Sequence, residues 1–125
     1  AYRDAHRDKK HAIAMESDFG ADNIWRVEFT LPDEAKTVAD EIAASLLNLG
    51  IGRSGGQAGG GADIGPIIAD GNLAIIDLQQ DGSRYFDLHH TPIDPEQVRQ
   101  NVAAWTTVLS IIANSDADFT MPVKK

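Results

Sequence analysis

The chain has 125 residues, of which 42% are hydrophobic and 24% are charged. This length and composition predict a single globular domain over residues 1–125, with enough apolar residues for a core. Eleven Lys and Arg residues against 19 Asp and Glu residues give a net charge of −8, which argues against nucleic acid as a partner. The absence of cysteine excludes disulfides, thiolate metal ligands and cysteine nucleophiles. No apolar run reaches the roughly 18–20 residues of a membrane span, so we expect none.

The first ten residues, AYRDAHRDKK, predict a helix, although no residue before them can cap its free N–H groups. The chain also begins with Ala1 rather than Met. We therefore expect the sequence to be a piece of a longer protein. A frayed natural terminus or a processed tail is the alternative.

Two strands are predicted next. Residues 11–17 (HAIAMES) are short and apolar, which is typical of a buried strand that ends in a loop. Residues 24–31 (IWRVEFTL) alternate with a period of two, which predicts a half-buried strand. The side chains on its predicted buried face are Trp25, Val27, Phe29 and Leu31.

A helix follows, with Asp33 as its predicted N-cap and Gly50 in a left-handed conformation after its end. Its predicted apolar stripe consists of Ala35, Val38, Ala39, Ile42, Leu46 and Leu49.

The segment that we call the Gly-rich loop, residues 52–61 (GRSGGQAGGG), holds six of the eleven glycines and predicts no regular structure. Consecutive N–H groups can bind anions, but this segment matches neither the G-x-G-x-x-G pattern nor the P-loop pattern. An accommodating loop, flexible or bordering the substrate, is therefore favoured over a phosphate-binding loop. A short helical turn is predicted at residues 62–69.

Residues 73–78 (LAIIDL) predict an interior strand covered on both faces. In the last predicted helix, Asp94 is the N-cap, Pro95 takes the first position and Gln97 completes a capping box. Its apolar residues recur at Val98, Val102, Trp105, Leu109 and Ile112. Strands alternating with helices predict an α/β fold, a layered mixed or parallel sheet flanked by helices.

Two segments could carry chemistry. Glu16-Ser17-Asp18-Phe19-Gly20 places carboxylates at the carboxyl end of a strand, where functional groups concentrate in open α/β sheets. His89-His90-Thr91-Pro92-Ile93-Asp94 offers imidazoles, which are common zinc ligands. Taken alone, the first segment is better explained as a simple turn, and the second is equally consistent with loop histidines before a helix cap.

In this order and spacing, the segments MESDFG, GADIGP, YFDLHHTPID and VRQNVAAW resemble metallopeptidase family 28. The resemblance is to the branch that contains plasma glutamate carboxypeptidase-like and bacterial enzymes. It implies the C-terminal part of a zinc-exopeptidase, phosphorylase/hydrolase-like fold, with two zinc ions in the complete enzyme.

By motif, the resemblance implies that Asp18 and His90 are metal ligands on different zinc ions, whereas His89 does not match a ligand position. A further His, a bridging Asp and a Glu pair that includes the general base have no counterpart, so no catalytic residue is assigned in this chain. We therefore expect the chain alone to bind zinc weakly or not at all and to lack peptidase activity. The alternative is a non-catalytic α/β binding or interaction module.

The resemblance also implies a peptide substrate for the complete enzyme and export of the parent protein to the periplasm or outside the cell. Under this interpretation, the Asp18 carboxylate and the His90 imidazole lie within about 7 Å of each other. We expect some of the strands that pair with the LAIIDL strand to come from outside the chain. An unpaired strand edge or a bare apolar face would then promote self-association.

Overall fold

The computed structural model describes residues 2–6, 8, 10–17, 22–81 and 94–122. Within these ranges no helix is long and apolar enough to cross a bilayer. The elements are helices α1 (Tyr2–Ala5), α2 (Lys36–Leu47), α3 (Gly65–Gly71) and α4 (Pro95–Ala113), strands β1 (Ala14–Glu16), β2 (Ile24–Thr30), β3 (Gly52–Arg53) and β4 (Ile75–Gln80), and a 3-10 turn at Asp33–Ala35.

The four described strands form one mixed sheet in the order β1-β4-β2-β3. Strand β4 runs parallel to β1 and antiparallel to β2, and β2 runs parallel to β3. As predicted, β4 is interior, with Ile75, Ile76, Asp77 and Leu78 all buried. Contrary to expectation, both neighbours of β4 come from this chain. The α/β prediction of a mixed sheet flanked by helices is confirmed.

The hydrophobic core lies between the sheet and the helices α2 and α4. Six side chains from these strands and helices are completely buried between the two layers: Val27, Ile42, Leu46, Ile76, Leu78 and Val108. Burying one such side chain stabilises the fold by about 1.5–3 kcal/mol. This layer holds β2, β4, α2 and α4 in a fixed relation.

Most of the predicted stripe of helix α2 is buried, with Leu49 half-buried beyond the helix end, and Gly50 follows with φ +76° as predicted. The N–H of Ile51 donates to the carbonyl of Leu46 at 3.2 Å, and that of Gly50 to Leu47 at 3.0 Å, which is a Schellman arrangement. The prediction that Asp33 caps the helix is wrong. Asp33 begins the 3-10 turn instead, and its carboxylate lies 3.0 Å from the Lys36 ammonium.

Strand β2 differs from the predicted alternation at its start. An irregularity in the pairing with β4 falls between Ile24 and Arg26, so that Ile24 is buried and Trp25 is 51% exposed. A bulge adds one residue to one strand and reverses the faces of the residues before it. Beyond it Val27 is buried, as predicted.

Helix α4 confirms only part of the predicted stripe: Trp105 and Ile112 pack against the core, whereas its other three residues are exposed. Val98, Val102 and Leu109 are 40%, 59% and 53% exposed, whereas Ala104 and Val108 are completely buried. The physical reason is that polar side chains in the first turns of α4 bond to the end of the sheet, and these bonds set the rotation of the helix.

The remaining elements are shorter than predicted or shifted. Helix α1 is one turn rather than ten residues, and the strand predicted at residues 11–17 covers Ala14–Glu16. The helical turn predicted at residues 62–69 is α3, which begins at Gly65. Most of the Gly-rich loop is irregular as predicted, but β3 pairs with β2 inside it.

Candidate functional site

The carboxyl ends of β1 and β4 lie side by side, because these strands run parallel with Glu16 opposite Asp77. The chain leaves β1 through Ser17 and β4 through Asp81. Strand β2 begins at the same edge, where the N–H of Asp81 donates to the carbonyl of Asn23 at 3.0 Å. Connections at the carboxyl edge of an open α/β sheet are the usual location of functional groups. We call this edge the carboxyl edge.

Gln80, the last residue of β4, joins three elements at the carboxyl edge. It is 5% exposed, and its Nε2 donates to Ser17 Oγ and, at 2.9 Å, to Asn101 Oδ1 on α4. Its Oε1 is buried and has no hydrogen-bond partner among the described residues. The side chain of Gln80 thus fixes the residue after β1 against helix α4.

Asp22 ties the first turns of α4 to the start of β2. Its buried Oδ1 accepts from Gln97 Nε2 at 2.7 Å, and its carbonyl accepts from Asn101 Nδ2 at 3.1 Å. Gln100 adds two bonds to the backbone of Ile24, accepting its N–H at 2.9 Å and donating to its carbonyl at 2.7 Å. The beginning of α4 is therefore held at the carboxyl edge by directed polar contacts.

The start of α4 confirms one predicted cap and corrects another. Asp94 is the N-cap, since its Oδ1 accepts from the N–H of Glu96 at 2.9 Å, and Pro95 takes the first helical position. The predicted capping box is wrong in its second part. The side-chain amide of Gln97 is directed to Asp22.

The two predicted metal ligands, Asp18 and His90, lie outside the described residues, as does His89. The structure does describe the residues on either side of the two segments that contain them, and it shows what those flanking residues contact. Segment 18–21 is attached at Ser17 and Asp22, which bond to Gln80 and to α4.

Segment 82–93 is attached at Asp81 and Asp94. Asp81 bonds to Asn23, and Asp94 caps the helix whose Gln97 reaches Asp22. All four attachment residues thus belong to the carboxyl edge or to the helix start bound to it. In the ranges that the structure describes, no group of three or more His, Asp or Glu side chains is arranged to hold a metal ion.

A second polar feature, which the sequence analysis did not identify, crosses the sheet on the face opposite α2 and α4. Glu16, Asp77 and Glu28 are register partners on β1, β4 and β2, and we call them the acid row. Asp77 and Glu28 are buried, and Glu16 is half-buried. The signal in the sequence is the single carboxylate inside LAIIDL.

The Gly-rich loop lies over the acid row. The N–H groups of Gly59 and Gly60 donate to Asp77 Oδ2 at 3.0 and 2.9 Å, and that of Gly61 donates to Glu16 Oε2 at 2.8 Å. These N–H groups, the ones that could have bound a phosphate, are thus engaged by the chain's own carboxylates.

The loop approaches the acid row closely at Gly61, and its neighbour Gly60 has a backbone conformation that favours glycine. A Cβ at Gly61 would overlap Glu16 Oε1 and lie 2.5 Å from its Cδ. Gly60 has φ +69°, and a Cβ there would lie 3.0 Å from the side chain of Ile64. Gly61 therefore allows close packing on the Glu16 carboxylate, and Gly60 allows close packing on Ile64 and Ile68.

Burial raises the pKa of the Asp77 carboxyl above its ordinary value of 3.8. The N–H groups of Gly60 and Gly59 act in the opposite direction, and the charges of Glu28 and Glu16 add to the increase. Asp77 Oδ1 is buried without a hydrogen-bond partner in the described part of the chain. Asp77 is thus the member of the acid row with the least compensated charge.

A cleft of about 410 Å³ lies at the other end of the sheet, before β1 and β4. It is lined by residues 10–12, 72–74 and 117–121. None of the predicted site residues lines it, so the candidate site remains the carboxyl edge.

Comparison with known proteins identifies relatives of the chain, although no protein-family profile matches it. It is 31% identical to carboxypeptidase Q of Bos taurus over 83% of this chain, and 30% identical to that of Mus musculus over 86%. The matches cover 23% and 24% of those proteins, so the chain spans about a quarter of their length.

A crystal structure described as a peptidase M28 precursor from Shewanella amazonensis superimposes with a TM-score of 0.83 at 35% identity. That match covers 99% of this chain and 30% of the other. The fold and the sequence agree with the resemblance found in the motifs. The chain therefore belongs to the M28 family of metallopeptidases.

Proposed function

We propose that the chain is the C-terminal segment of the catalytic domain of a zinc exopeptidase, and that Asp18 and His90 each contribute one ligand to a pair of zinc ions. In this proposal the complete enzyme hydrolyses peptide bonds, as an aminopeptidase, a dipeptidase or a carboxypeptidase. The relatives named carboxypeptidase Q support a peptidase, and the motifs around Asp18 and His90 support the ligand assignment.

One observation carries the proposal. The two segments that contain Asp18 and His90 are attached at both ends to the carboxyl edge, through Ser17, Asp22 and Asp81 and through the capped start of α4. Side chains from both segments can therefore reach one place. A carboxylate and an imidazole are donors that suit zinc.

The described residues would help to position this metal centre by holding the ends of the segment that contains Asp18. Gln80 holds Ser17, which directly precedes Asp18, and Asp22 holds the segment at its other end. A zinc pair, when bound, polarises the scissile carbonyl and lowers the pKa of a bound water.

Two protein ligands are too few for two zinc ions, because a structural zinc takes four ligands and a catalytic zinc about three. The described residues add no further cluster of metal-binding side chains. We therefore propose that the other ligands and the general base come from outside these 125 residues. The isolated chain then binds zinc weakly or not at all and does not hydrolyse peptides.

A chimera tests the ligand assignment. Residues 1–125 replace the matching 30% of the Shewanella peptidase, and zinc content and dipeptide hydrolysis are measured. Asp18→Asn and His90→Gln should each lower activity by more than the roughly 10–100-fold typical of residues behind the ligands, with loss of zinc. His89→Gln is the matched control and should keep both.

Retention of zinc and activity in the Asp18→Asn and His90→Gln chimeras would refute the ligand assignment. It would favour the alternative, a non-catalytic binding module. For the isolated chain, calorimetric titration with zinc should show no tight site, and turnover of a dipeptide would contradict the proposal.

We also propose that the isolated chain self-associates. Among the described strands, β1 pairs only with β4, so its other side is an unpaired edge of the sheet. Light scattering should show a mass above that of the monomer at high concentration, and a clean monomer would contradict this.

A further inference from the structure

The three carboxylates of the acid row differ in the hydrogen-bond donors and cations that compensate their charge. Glu28 Oε2 accepts from Gln79 Nε2 at 2.7 Å, and its Oε1 lies 3.6 Å from Arg26 Nε. Glu16 Oε2 accepts the N–H groups of Gly61 at 2.8 Å and of Ile64 at 3.4 Å.

Asp77, between them, receives both of its hydrogen bonds on one oxygen. Oδ2 accepts from Gly59 and Gly60, while Oδ1 is buried without a partner among the described residues. Among the residues that the structure describes, the charged groups facing Asp77 are Glu16 on β1 and Glu28 on β2, the latter with Arg26 beyond it. Residues 56–61 of the loop above contain no titratable side chain.

We propose that Asp77 is a proton-sensitive clamp on the Gly-rich loop and holds the loop more firmly when it carries a proton on Oδ1. The proton comes from solvent and forms an O–H bond at the oxygen that has no partner. The protonated carboxyl no longer adds a negative charge to the acid row, while Oδ2 continues to accept the loop N–H groups. Without the proton, three negative charges repel one another beneath the loop.

The direction of the pH dependence follows from linkage. With the loop in place, burial raises the pKa of Asp77 above 3.8 and outweighs the N–H groups of Gly60 and Gly59, which lower it. A released loop exposes the carboxyl to water, so the pKa falls toward its ordinary range, with Glu28 and Glu16 still beside it. The extra stability of the fastened loop is therefore fully present below the ordinary pKa. It is lost as the pH rises through the raised pKa.

Amide hydrogen exchange of the isotope-labelled chain between about pH 4 and pH 7 tests the clamp, with each rate corrected for the intrinsic pH dependence. The protection of Gly59 and Gly60 should fall as the pH rises. In the pH range between the ordinary pKa of an aspartate and the measured pKa of Asp77, the protection factor should fall by up to about tenfold for each pH unit. Ser54, whose N–H donates to the carbonyl of Val27 at 3.0 Å rather than to Asp77, is the control and should not respond. Protection of Gly59 and Gly60 that is constant or rises with pH would overturn the proposal.

Two variants assign the effect to Asp77. Asp77→Asn keeps an acceptor for the loop but cannot titrate, so its Gly59 and Gly60 protection should not depend on pH. A retained pH dependence would overturn the proposal. Glu28→Gln removes one neighbouring charge and should move the midpoint to lower pH, whereas an unchanged midpoint would count against the acid row as the cause.

If Asp77→Asn does not fold, carbon-13 titration of the Asp77 carboxyl in the unmodified chain decides the question. Its midpoint should lie above 3.8 and coincide with the change at Gly59 and Gly60. A midpoint in the ordinary range, or one that differs from that of the loop amides, would overturn the proposal. None of these measurements depends on whether Asp18 and His90 bind zinc.

Discussion

Gly61→Ala provides the most direct test of how the loop sits on the acid row. The new Cβ would occupy the position of Glu16 Oε1, so the carboxylate must move away. Two hydrogen bonds to Glu16 Oε2 are then broken, from the N–H of Gly61 at 2.8 Å and from that of Ile64 at 3.4 Å.

The magnitude follows from these two bonds. A hydrogen bond to a charged group contributes about 1.5–3 kcal/mol, and the bond from Ile64 is too long to add much. Glu16 is half-buried, so water replaces part of what is lost. Alanine also restricts the unfolded chain, which stabilises the fold by about 0.4–1 kcal/mol. Gly61→Ala should therefore lower the free energy of unfolding by about 1–2 kcal/mol.

The matched control is Gly59→Ala. Gly59 has nothing within 4 Å of its Cβ position and no positive φ, so alanine should raise the free energy of unfolding by about 0.4–1 kcal/mol. Urea unfolding followed by tryptophan fluorescence and circular dichroism measures both variants. In a Glu16→Ala background, the penalty of Gly61→Ala should disappear.

Equal effects at Gly61 and Gly59, within about 0.3–0.5 kcal/mol, would refute the close approach of the loop to Glu16. An undiminished Gly61→Ala penalty in the Glu16→Ala background would do the same.

Three further predictions concern the core, the cap and pH. Ile76→Ala, at a completely buried position of β4, should lower the free energy of unfolding by about 2–5 kcal/mol in urea titrations, whereas Val102→Ala on the exposed side of α4 should change it by less than about 0.5 kcal/mol. Asp94→Ala should cost about 1 kcal/mol by the same assay because it removes the N-cap of α4, and Asp94→Asn should be nearly neutral because asparagine caps equally well. The raised pKa of Asp77 predicts that the Asp77 contribution to stability falls as the pH rises through that pKa. Urea midpoints between about pH 4 and pH 7 should therefore fall more for the unmodified chain than for Asp77→Asn, and parallel curves would contradict the prediction.

The fold class and the main elements could be predicted from the sequence because their signals are local. The stripe on α2, the left-handed Gly50 and the Asp94-Pro95 start of α4 each depend on neighbouring residues, and all appear in the structure. The continuous apolar run of β4 correctly indicated an interior strand.

The errors come from interactions between distant residues. The bulge at the start of β2 depends on pairing with β4, so the exposure of Trp25 could not be predicted from alternation. The rotation of α4 is set by Gln97 and Gln100, whose partners lie in and before β2. The spacing of apolar residues along a helix indicates an apolar stripe. It does not show how polar contacts rotate the helix, and so which side faces the core.

At the candidate site, the motifs supplied Asp18 and His90, but the supporting residues were missed. Gln80 and Asp22 carry no recognisable motif. The role of Gln80 depends on the parallel pairing of β1 with β4, and that of Asp22 depends on its contact with α4. The acid row was missed for the same reason. Its three carboxylates are far apart in the sequence and meet only through strand register.

The interior position of β4 also has a consequence for synthesis on the ribosome. Thr30 at the end of β2 pairs with Ile75, and Ala14 at the start of β1 pairs with the same residue. The first two strands therefore emerge several seconds before their common partner, at roughly 5–20 residues per second. During that interval β1 has no partner among the described strands, and β2 can bond only to the two residues of β3. We expect the nascent chain to depend on chaperones until residue 80 has been released.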